Sequence, residues 1–502
     1  MLDGSGTGKS STYSIPNAYQ CLGSYIFTDP KGELYDSTAG YLKSKGYNIK
    51  VLNLVQPQNS DGYNPLMHIT SGLDIDVIAN TIVKGQQTGS SSDPYWEDMA
   101  EMLLKALIYY LIAKRPEEEQ NLASCAELVR AANTSGGSNL LTELINELPY
   151  DHPARMYYKS IEIAPEKTYG SILSSLQSKL GKFDSKEIAE LTSTDTIDFD
   201  EIATKKTAVY VISSDTHTAY DFLLTIFFSQ MIQQLYNYAD NHGGKLPIPC
   251  FFILDEFANI GRVPDFDKKI STSRSRKISF SVILQNLDQL EAVYEKSFET
   301  IIGNCDTQVF LGSNSQKTVE YFSKLLGEKT IGRDSVSVSR DNHSKKTGTS
   351  KSDNIMARAL LTPDELRRFD NNDCIIFVRG IRPVRAKKYW YYKKPMANEL
   401  RARAISHNEI NGIERGNWRK FNPYNPYKED KEEQTPDLKV ESLDDLFDDI
   451  PESPKEIKKE QKQEAPILPQ EDMSEKNIPD IDLQKELEAK FDELFGPIDD
   501  EE

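Results

Sequence analysis

The chain opens with the stretch Asp3-Gly4-Ser5-Gly6-Thr7-Gly8-Lys9-Ser10, a glycine-rich turn that ends in Gly-Lys-Ser. In such a turn backbone N–H groups surround phosphate oxygens, the lysine reaches the β and γ phosphates, and the hydroxyl after it binds Mg²⁺. The pattern G-x-x-x-x-G-K-[ST] has glycine where this chain has Asp3. The stretch predicts a phosphate-binding loop (P-loop), and the alternative interpretation is an ordinary Gly/Ser-rich turn.

The predicted P-loop assigns roles to particular residues. A nucleotide would contact Gly4, Ser5, Gly6, Thr7, Gly8, Lys9, Ser10 and Ser11, and Ser10 would also bind the metal. The loop should open a helix, whose amino end favours an anion. A P-loop ordinarily follows a buried strand, and only two residues precede this one. We expect either that the chain starts late and has lost an upstream membrane anchor, or that the central strand is missing.

A second chemical motif lies far downstream at Phe251-Phe252-Ile253-Leu254-Asp255-Glu256. Four apolar residues predict a buried parallel strand, and open α/β sheets bind ligands beyond the carboxyl ends of their strands. Asp255 is the predicted Mg²⁺ ligand, through water, and Glu256 the residue that polarises the attacking water. The alternative is a strand followed by a helix-capping acid.

Charge is distributed unevenly along the 502 residues, whose net charge is −19. Residues 428–502 hold 27 acidic residues and 10 lysines, so the body is close to neutral and can carry basic patches. The five cysteines are scattered without a C-x-x-C pair, which favours free thiols in a reducing compartment. The longest apolar run, 103–113, is too short to span a bilayer.

The order of predicted elements indicates an α/β fold with a helical insertion. Strands at 24–29 and 47–54 flank a helix and predict a parallel sheet. Helical periodicity then dominates 96–192, and the sheet resumes at 208–213. Further predicted elements are helices at 222–238, 265–276, 287–294 and 318–326, strands at 278–284, 307–311, 374–378 and 388–392, and a polar hairpin within 333–352.

The carboxyl-terminal part, 397–502, has low apolar density and is predicted to be mostly disordered. It contains an acidic near-repeat, Leu443–Phe447 and Phe491–Phe495. Two interpretations remain: transient helices without a fixed role, or docking motifs that fold on a partner.

Taken together, these motifs resemble the TraG-like family of type IV secretion (conjugative) coupling proteins. The resemblance covers about residues 3–395. It rests on the P-loop and on four further motifs at 28–33, 254–260, 283–285 and 301–306, together with Leu360–Glu365. It implies a RecA-like P-loop NTPase domain formed by 1–95 and 193–396, an inserted all-alpha domain at 96–192, and the acidic tail at 397–502.

The resemblance also implies an activity and partners. The expected function is an ATP-hydrolysing, DNA-stimulated translocase that uses ATP and Mg²⁺ and delivers a conjugative substrate to a type IV secretion channel. The expected partners are DNA, gripped through its backbone, a relaxase or relaxosome, channel components and five further copies in a homo-hexamer. The expected location is the cytoplasmic face of the plasma membrane.

Some roles follow from the resemblance residue by residue. Gln285, at a strand end, resembles the residue that senses the γ-phosphate, or is a polar strand terminus. Arg274 resembles an arginine finger that reaches the neighbouring subunit's nucleotide. Arg276 and, more weakly, Arg262 compete for that role. Asp29 and Lys31 pack beside the loop or serve as turn residues.

For DNA, the candidates are 333–352 and the helix with Lys268 and Lys269, each of which could equally be a solvated face. Trp96 is interpreted as a packing anchor, although the resemblance implies that its lobe recognises substrate. Two other functions stay open: a cytosolic double-stranded DNA pump of the chromosome-segregation type, and a non-hydrolysing substrate-docking adapter.

Overall fold

The structure is a computed structural model that describes residues 1–3, 7–85, 94–132, 139–213, 220–340, 347–410 and 424, all within one compact unit. Its strands are β1 Leu2–Asp3, β2 Ser24–Thr28, β3 Asn48–Asn53, β4 Thr207–Ile212, β5 Cys250–Leu254, β6 Ile278–Val282, β7 Thr307–Gly312, β8 Glu328–Arg340, β9 Thr347–Ala359, β10 Asp373–Val378 and β11 Val384–Lys387.

The helices alternate with these strands and then form a block of their own. They are α1 Ile15–Tyr19, α2 Glu33–Ser44, α3 Gly72–Lys84, α4 Pro94–Lys114, α5 Leu122–Ala131, α6 Leu140–Asn146, α7 Pro153–Glu162, α8 Glu166–Leu180, α9 Lys186–Leu191, α10 Phe199–Thr204, α11 Asp221–Asn241, α12 Phe266–Thr272, α13 Leu287–Tyr294, α14 Phe298–Gly303, α15 Gln316–Leu326, α16 Pro363–Arg367 and α17 Met396–Arg401.

A parallel five-stranded sheet in the order β3-β4-β2-β5-β6 forms the centre of the fold. Its middle strands β2 and β4 are buried at every position, which explains why they appear in the sequence as unbroken apolar runs. Because all five strands run the same way, their carboxyl ends share one edge, and the polar residues that follow them meet there. The predicted α/β class is confirmed.

Helices α3 to α10 all fall between β3 and β4 in the chain. The long helix α4 packs against α3, α5, α7 and α8, and its buried face includes Leu103, Leu107 and Leu111. Trp96, near the start of α4, is partly buried against this core and meets Tyr95 edge to face. The apolar core is continuous from this helical block to one face of the sheet.

A second sheet, β1-β7-β10-β11, is joined to the first through Met1. Strand β1 pairs in parallel with β7 at Phe310 and Gly312. The Met1 amino group donates to the Val282 carbonyl (2.7 Å), and the Leu284 N–H donates to the Met1 carbonyl (3.0 Å). Three residues therefore occupy the place of a P-loop strand between β6 and β7.

Beside Met1, a groove of about 730 Å³ separates β6 from β7. In the described part of the chain, β6 has a ladder partner only in β5, and β7 meets β1 only near its carboxyl end. The facing strand edges thus carry backbone groups that a longer central strand would pair.

Two predictions about the later elements need correction: the edge strand at 388–392, and residue 397 as the start of the mostly disordered tail. Residues 388–392 are not an edge strand: β11 ends at Lys387, and a short 3₁₀ turn follows at Tyr391–Lys393. Residues from 397 onward are partly folded, because α17 buries Ala397 and Leu400, and His407 donates through its backbone to Asp36 (2.7 Å). Tyr424 is buried as well, stacked on Arg115. The rest of the predicted tail, including both near-repeats, lies outside the described residues.

The groove beside Met1 gives a prediction about stability. Five β-branched residues fused ahead of Met1 should pair with both strand edges and raise the melting temperature by about 3 °C or more, since each 1 kcal/mol gained shifts it by a few degrees. Differential scanning calorimetry measures this shift. A Gly/Ser extension of the same length is the control, and an equal melting temperature for both extensions would contradict the assignment.

Candidate nucleotide-binding site

The P-loop lies at the carboxyl edge of the sheet, where β1 gives way to the first helix. Gly8 has a φ of +91°, which glycine adopts without strain. Lys9 begins helical geometry, and the Thr12 N–H donates to the Gly8 carbonyl (2.8 Å). The first N–H groups of this helix, which continues through Ser10 and Ser11 into α1, lack intrahelical acceptors and are available to an anion. Gly4, Ser5 and Gly6 lie outside the described residues.

The Lys9 side chain joins the P-loop to the acidic pair after β5. Its ammonium lies 2.9 Å from Asp255 Oδ1 and donates to Glu256 Oε1 (3.0 Å). Although burial acts to lower the pKa of Lys9, the two carboxylates outweigh it and raise that pKa. Residues separated by more than 240 positions in the chain therefore form one charged cluster, as the sequence motifs require of a nucleotide site.

The two carboxylates differ in environment. Burial raises the pKa of Asp255, although the Lys9 charge opposes the shift. Burial also acts to raise the pKa of Glu256, but hydrogen bonds from Lys9 and Gln285 lower it overall. Glu256 is thus an anion at neutral pH, and its φ of +53° is a left-handed conformation that a non-glycine residue adopts at a cost.

Neighbouring strands fix the position of this pair. The Thr28 hydroxyl, at the end of β2, donates to the Asp255 carbonyl (2.6 Å). Gln285, just beyond β6, donates through Nε2 to Glu256 Oε1 (3.0 Å). The structure therefore brings together Lys9, Asp255, Glu256 and Gln285, and Ser10 follows Lys9 directly in the chain.

The donor set fits a magnesium-bound phosphate. Asp255 Oδ1 is buried, and within the described part of the chain it has an ion pair with Lys9 but no directed hydrogen bond. Such an oxygen suits a metal-bound water, and Mg²⁺ keeps several waters while it takes one or two protein oxygens. The Lys9 ammonium now occupies the space between the acids and the loop, and a phosphate would draw it away from them.

Arg274 lies away from this cluster. It is in a 3₁₀ turn, Ser273–Arg276, before the amino end of β6, and its side chain is 93% exposed, with Asp306 3.7 Å away. Gln285 follows the other end of β6, and five strand residues span about 17 Å. Arg274 therefore cannot serve the P-loop of its own chain.

The competing arginines have different environments. Arg276 makes two hydrogen bonds to Asp240 (2.8 and 3.0 Å) and stacks on Tyr236, so it is held on its own subunit. Arg262 is exposed in the segment before α12. Arg274 and Arg262 are therefore both accessible to a neighbouring molecule, whereas the Arg276 side chain is only 22% exposed.

Sequence reasoning gave Asp29 no catalytic role, and the structure shows a structural one. Asp29 is buried after β2, and its Oδ2 accepts from the Tyr35 N–H (2.8 Å) in the first turn of α2. Burial raises its pKa to about 6. Lys388 and Trp390, by contrast, contact the P-loop and were missed, because nothing in their sequence pattern distinguishes them from an edge strand.

These features define a P-loop nucleotide-binding fold, and the comparisons with known proteins specify it further. A family model described as "Type IV secretory system Conjugative DNA transfer" matches residues 1–413. The chain belongs to this family, which confirms the resemblance to TraG-like coupling proteins.

Relatives and solved structures agree with this assignment. "Conjugal transfer protein TraG" of Escherichia coli is 25% identical over 460 residues, which cover 81% of this chain and 71% of the relative. "Protein VirD4" of Agrobacterium fabrum is 22% identical, with 78% of this chain and 58% of the relative covered.

Among solved structures, "Plasmid coupling protein TrwB in complex with ADP and Mg2+" has a TM-score of 0.55 at 16% identity and covers 78% of this chain and 84% of that one. This likeness confirms the predicted fold: a RecA-like domain with a helical domain. Among the described helices, none has the length and apolarity needed to cross a bilayer.

The raised pKa of Asp29 predicts a pH-dependent stability. The ordinary pKa of an aspartate is 3.8, and the pKa of Asp29 in the folded protein is about 6. At a pH between these two values, the folded state therefore binds more protons than the unfolded state. Stability should therefore fall as pH rises from about 4 to about 6. Relative to the wild type, Asp29→Asn should gain about 3 kcal/mol over this range.

Urea unfolding of both proteins at pH 4 and pH 7 measures this change, because all other titrations are common to the two. A stability difference that is the same at both pH values would contradict the assignment of the raised pKa to Asp29.

Proposed function

We propose that this protein binds and hydrolyses Mg²⁺-ATP and uses the energy to move DNA toward a type IV secretion channel. The observation that carries the proposal is the convergence of Lys9, Asp255, Glu256 and Gln285 at one sheet edge. Membership of the conjugative transfer family supplies the biological setting. The related TrwB structures with ADP and Mg²⁺ and with an ATP analogue support the choice of ligand.

Each residue has a part in the proposed reaction. Gly8, Lys9, Ser10 and Ser11 would hold the phosphates, and Ser10 and water-bridged Asp255 would hold Mg²⁺, which neutralises charge on the β and γ oxygens. Glu256, ionised at neutral pH, would orient and polarise the attacking water. Gln285 donates a hydrogen bond to Glu256. When nucleotide binds, Gln285 would give up this bond and donate to the γ-phosphate instead, so the end of β6 would respond to the presence of that phosphate.

Arg274 would complete the site of the next subunit in a homo-hexamer. Its exposure, and its distance from the P-loop of its own chain, support a role in trans. In the single subunit, the exposed carboxylate of Asp306 lies within about 4 Å of both the Arg274 and the Arg379 guanidinium groups. A neighbour's phosphates would compete for the same guanidinium.

The proposed DNA contacts rest mainly on the ribbon β8–β9. It has 13 register pairs and no third strand in the described residues, and its strands include Arg333, Arg340 and Lys351. Lys345 and Lys346, which the sequence analysis also named, lie outside the described residues. Backbone binding needs this kind of basic, polar segment. Helix α12 is a weaker candidate: Lys268 pairs with Asp265, and burial lowers the pKa of half-buried Lys269.

The remaining partners are proposed from the family. A relaxase or relaxosome would present the substrate at the helical domain, channel components would receive it, and the protein would act at the cytoplasmic face of the plasma membrane. A partner for the acidic tail would use the segments Leu443–Phe447 and Phe491–Phe495.

Two variants separate binding from hydrolysis. Glu256→Gln should lower kcat for ATP about 100-fold or more and leave nucleotide binding intact, because it removes the water-polarising charge but keeps the shape. Lys9→Ala should abolish both. Phosphate release with and without DNA, and binding of a fluorescent ATP analogue, measure the two quantities. A wild-type protein that binds nucleotide but never hydrolyses it would favour the adapter function.

A mixing experiment tests the role in trans. Arg274→Ala should lose about 10³-fold in kcat while it still binds ATP. Mixed with Lys9→Ala, whose own P-loop is inactive but whose Arg274 is present, it should regain part of the activity. Arg276→Ala is the matched control and should stay near wild type. Failure of the mixture, in subunits shown to exchange, would remove Arg274 from the finger role.

A further inference from the structure

The stretch Lys388-Tyr389-Trp390-Tyr391-Tyr392-Lys393 leaves β11 and lies against the P-loop. The Lys388 N–H donates to the Asn372 carbonyl (2.8 Å), which ends the β10–β11 pairing, and the 3₁₀ turn Tyr391–Lys393 then packs on the helix that begins at Ser10. A segment from the end of the fold is thereby in contact with the first residues of the chain.

The Lys388 side chain makes the closest link. It is buried, with 7% exposure, and its ammonium donates to the Thr7 carbonyl (2.9 Å), the Leu311 carbonyl (2.8 Å) and Asn371 Oδ1 (3.0 Å). All three acceptors lie within hydrogen-bond distance of the same ammonium. Two of the acceptors belong to different segments, the P-loop and the end of β7, so one cation fixes the loop to the second sheet.

Trp390 contacts the next residue of the loop. A Cβ built on Gly8 would lie 2.4 Å from the indole Cζ3 and 2.5 Å from Cη2, closer than real contacts allow. The ring therefore packs directly on the Gly8 backbone, while Lys388 holds the carbonyl just before it. Thr7 Oγ1 and Trp390 Nε1 are buried and have no hydrogen-bond partner among the described residues, so both polar atoms can bind a ligand or its waters.

The peptide unit between Thr7 and Gly8 is the one whose orientation matters for phosphate binding. Lys388 fixes the direction of the Thr7 carbonyl by a hydrogen bond. Because the Gly8 N–H belongs to the same planar peptide, it must point the opposite way. The positive φ of Gly8 then sets the direction of the Lys9 and Ser10 N–H groups. Preorganised donors bind an anion more tightly, because the protein loses less freedom when the ligand arrives.

We propose that Lys388 is a positioning residue for the phosphate site, with Trp390 as its partner against Gly8. By holding the Thr7 carbonyl, Lys388 sets the affinity of the P-loop for the polyphosphate chain, whatever base is attached. This role rests on the proposed nucleotide-binding function. It also links nucleotide binding to β7 and to the turn at Asn371.

The test compares a nucleotide with a ligand that has no base. Lys388→Met keeps the length and apolar stem but removes the donors, and it should weaken binding of both Mg²⁺-ATP and Mg²⁺-tripolyphosphate about tenfold, the loss expected for one charge-assisted hydrogen bond. Isothermal titration calorimetry on the full chain measures both affinities. Lys387→Met is the matched control: this neighbouring lysine is 74% exposed, pairs with Asp373, and should leave both affinities unchanged.

Trp390→Ala is the second variant, in case Lys388→Met does not fold. It should also weaken both ligands in parallel, since it frees the Gly8 backbone. A loss confined to ATP would show that the segment contacts the base and would overturn the proposal. If a folded variant binds both ligands with unchanged affinity, Lys388 makes only a structural contact, and this result would also overturn the proposal.

A failure of the underlying function would be recognised separately. If the wild type binds neither ligand and Lys9→Ala changes nothing, the nucleotide-binding proposal is wrong, and the role of Lys388 falls with it. If Lys9→Ala abolishes binding but Lys388→Met does not weaken it, only the positioning role is contradicted.

Discussion

The ion cluster in which the Lys9 ammonium sits between Asp255 and Glu256 is the interaction on which the rest of the structure depends. It connects the first ten residues to a strand that follows 240 residues later, across the whole helical insertion. Burying a lysine beside two carboxylates is favourable only when the geometry is good and the remaining donors and acceptors are satisfied. Thr28 and Gln285 provide that support from β2 and β6, so four chain segments converge at the site.

Contacts from both sheets add to this cluster on either side of residues 4–6. Met1 bridges β6 to the second sheet, and Lys388 holds the Thr7 carbonyl from the far end of the domain. Met1, Thr7 and Lys9 are thus each held by partners from the two sheets or from the acidic pair. Loss of any one contact would leave the phosphate-binding N–H groups less well aligned, which matters more for affinity than for folding.

The sequence allowed most of the sheet and the core of the site to be predicted, for a physical reason. Strands β2 and β4 are buried at every position and β5 at every position except Phe251, so all three appear as apolar runs, and Asp255 and Glu256 follow such a run directly. The predictions are wrong where the local sequence pattern favours one structure and tertiary contacts favour another. The alternating Lys388–Tyr392 resembles an edge strand, yet Lys388 is drawn to carbonyls at Thr7 and Leu311 that no local pattern reveals. Likewise Leu400 and Tyr424 are buried within a segment whose average composition is that of a tail.

In the proposed function, Lys9 would exchange its two carboxylates for phosphate oxygens when nucleotide binds, and Asp255 would hold Mg²⁺ through a water. A crystal structure of the protein with Mg²⁺ and a non-hydrolysable ATP analogue tests this most directly. The account predicts the Lys9 ammonium about 3 Å from β- and γ-phosphate oxygens, Ser10 Oγ on the metal, and Glu256 beside a water in line with the γ-phosphate. A nucleotide bound elsewhere, or a Lys9 that keeps both carboxylates in its presence, would contradict it.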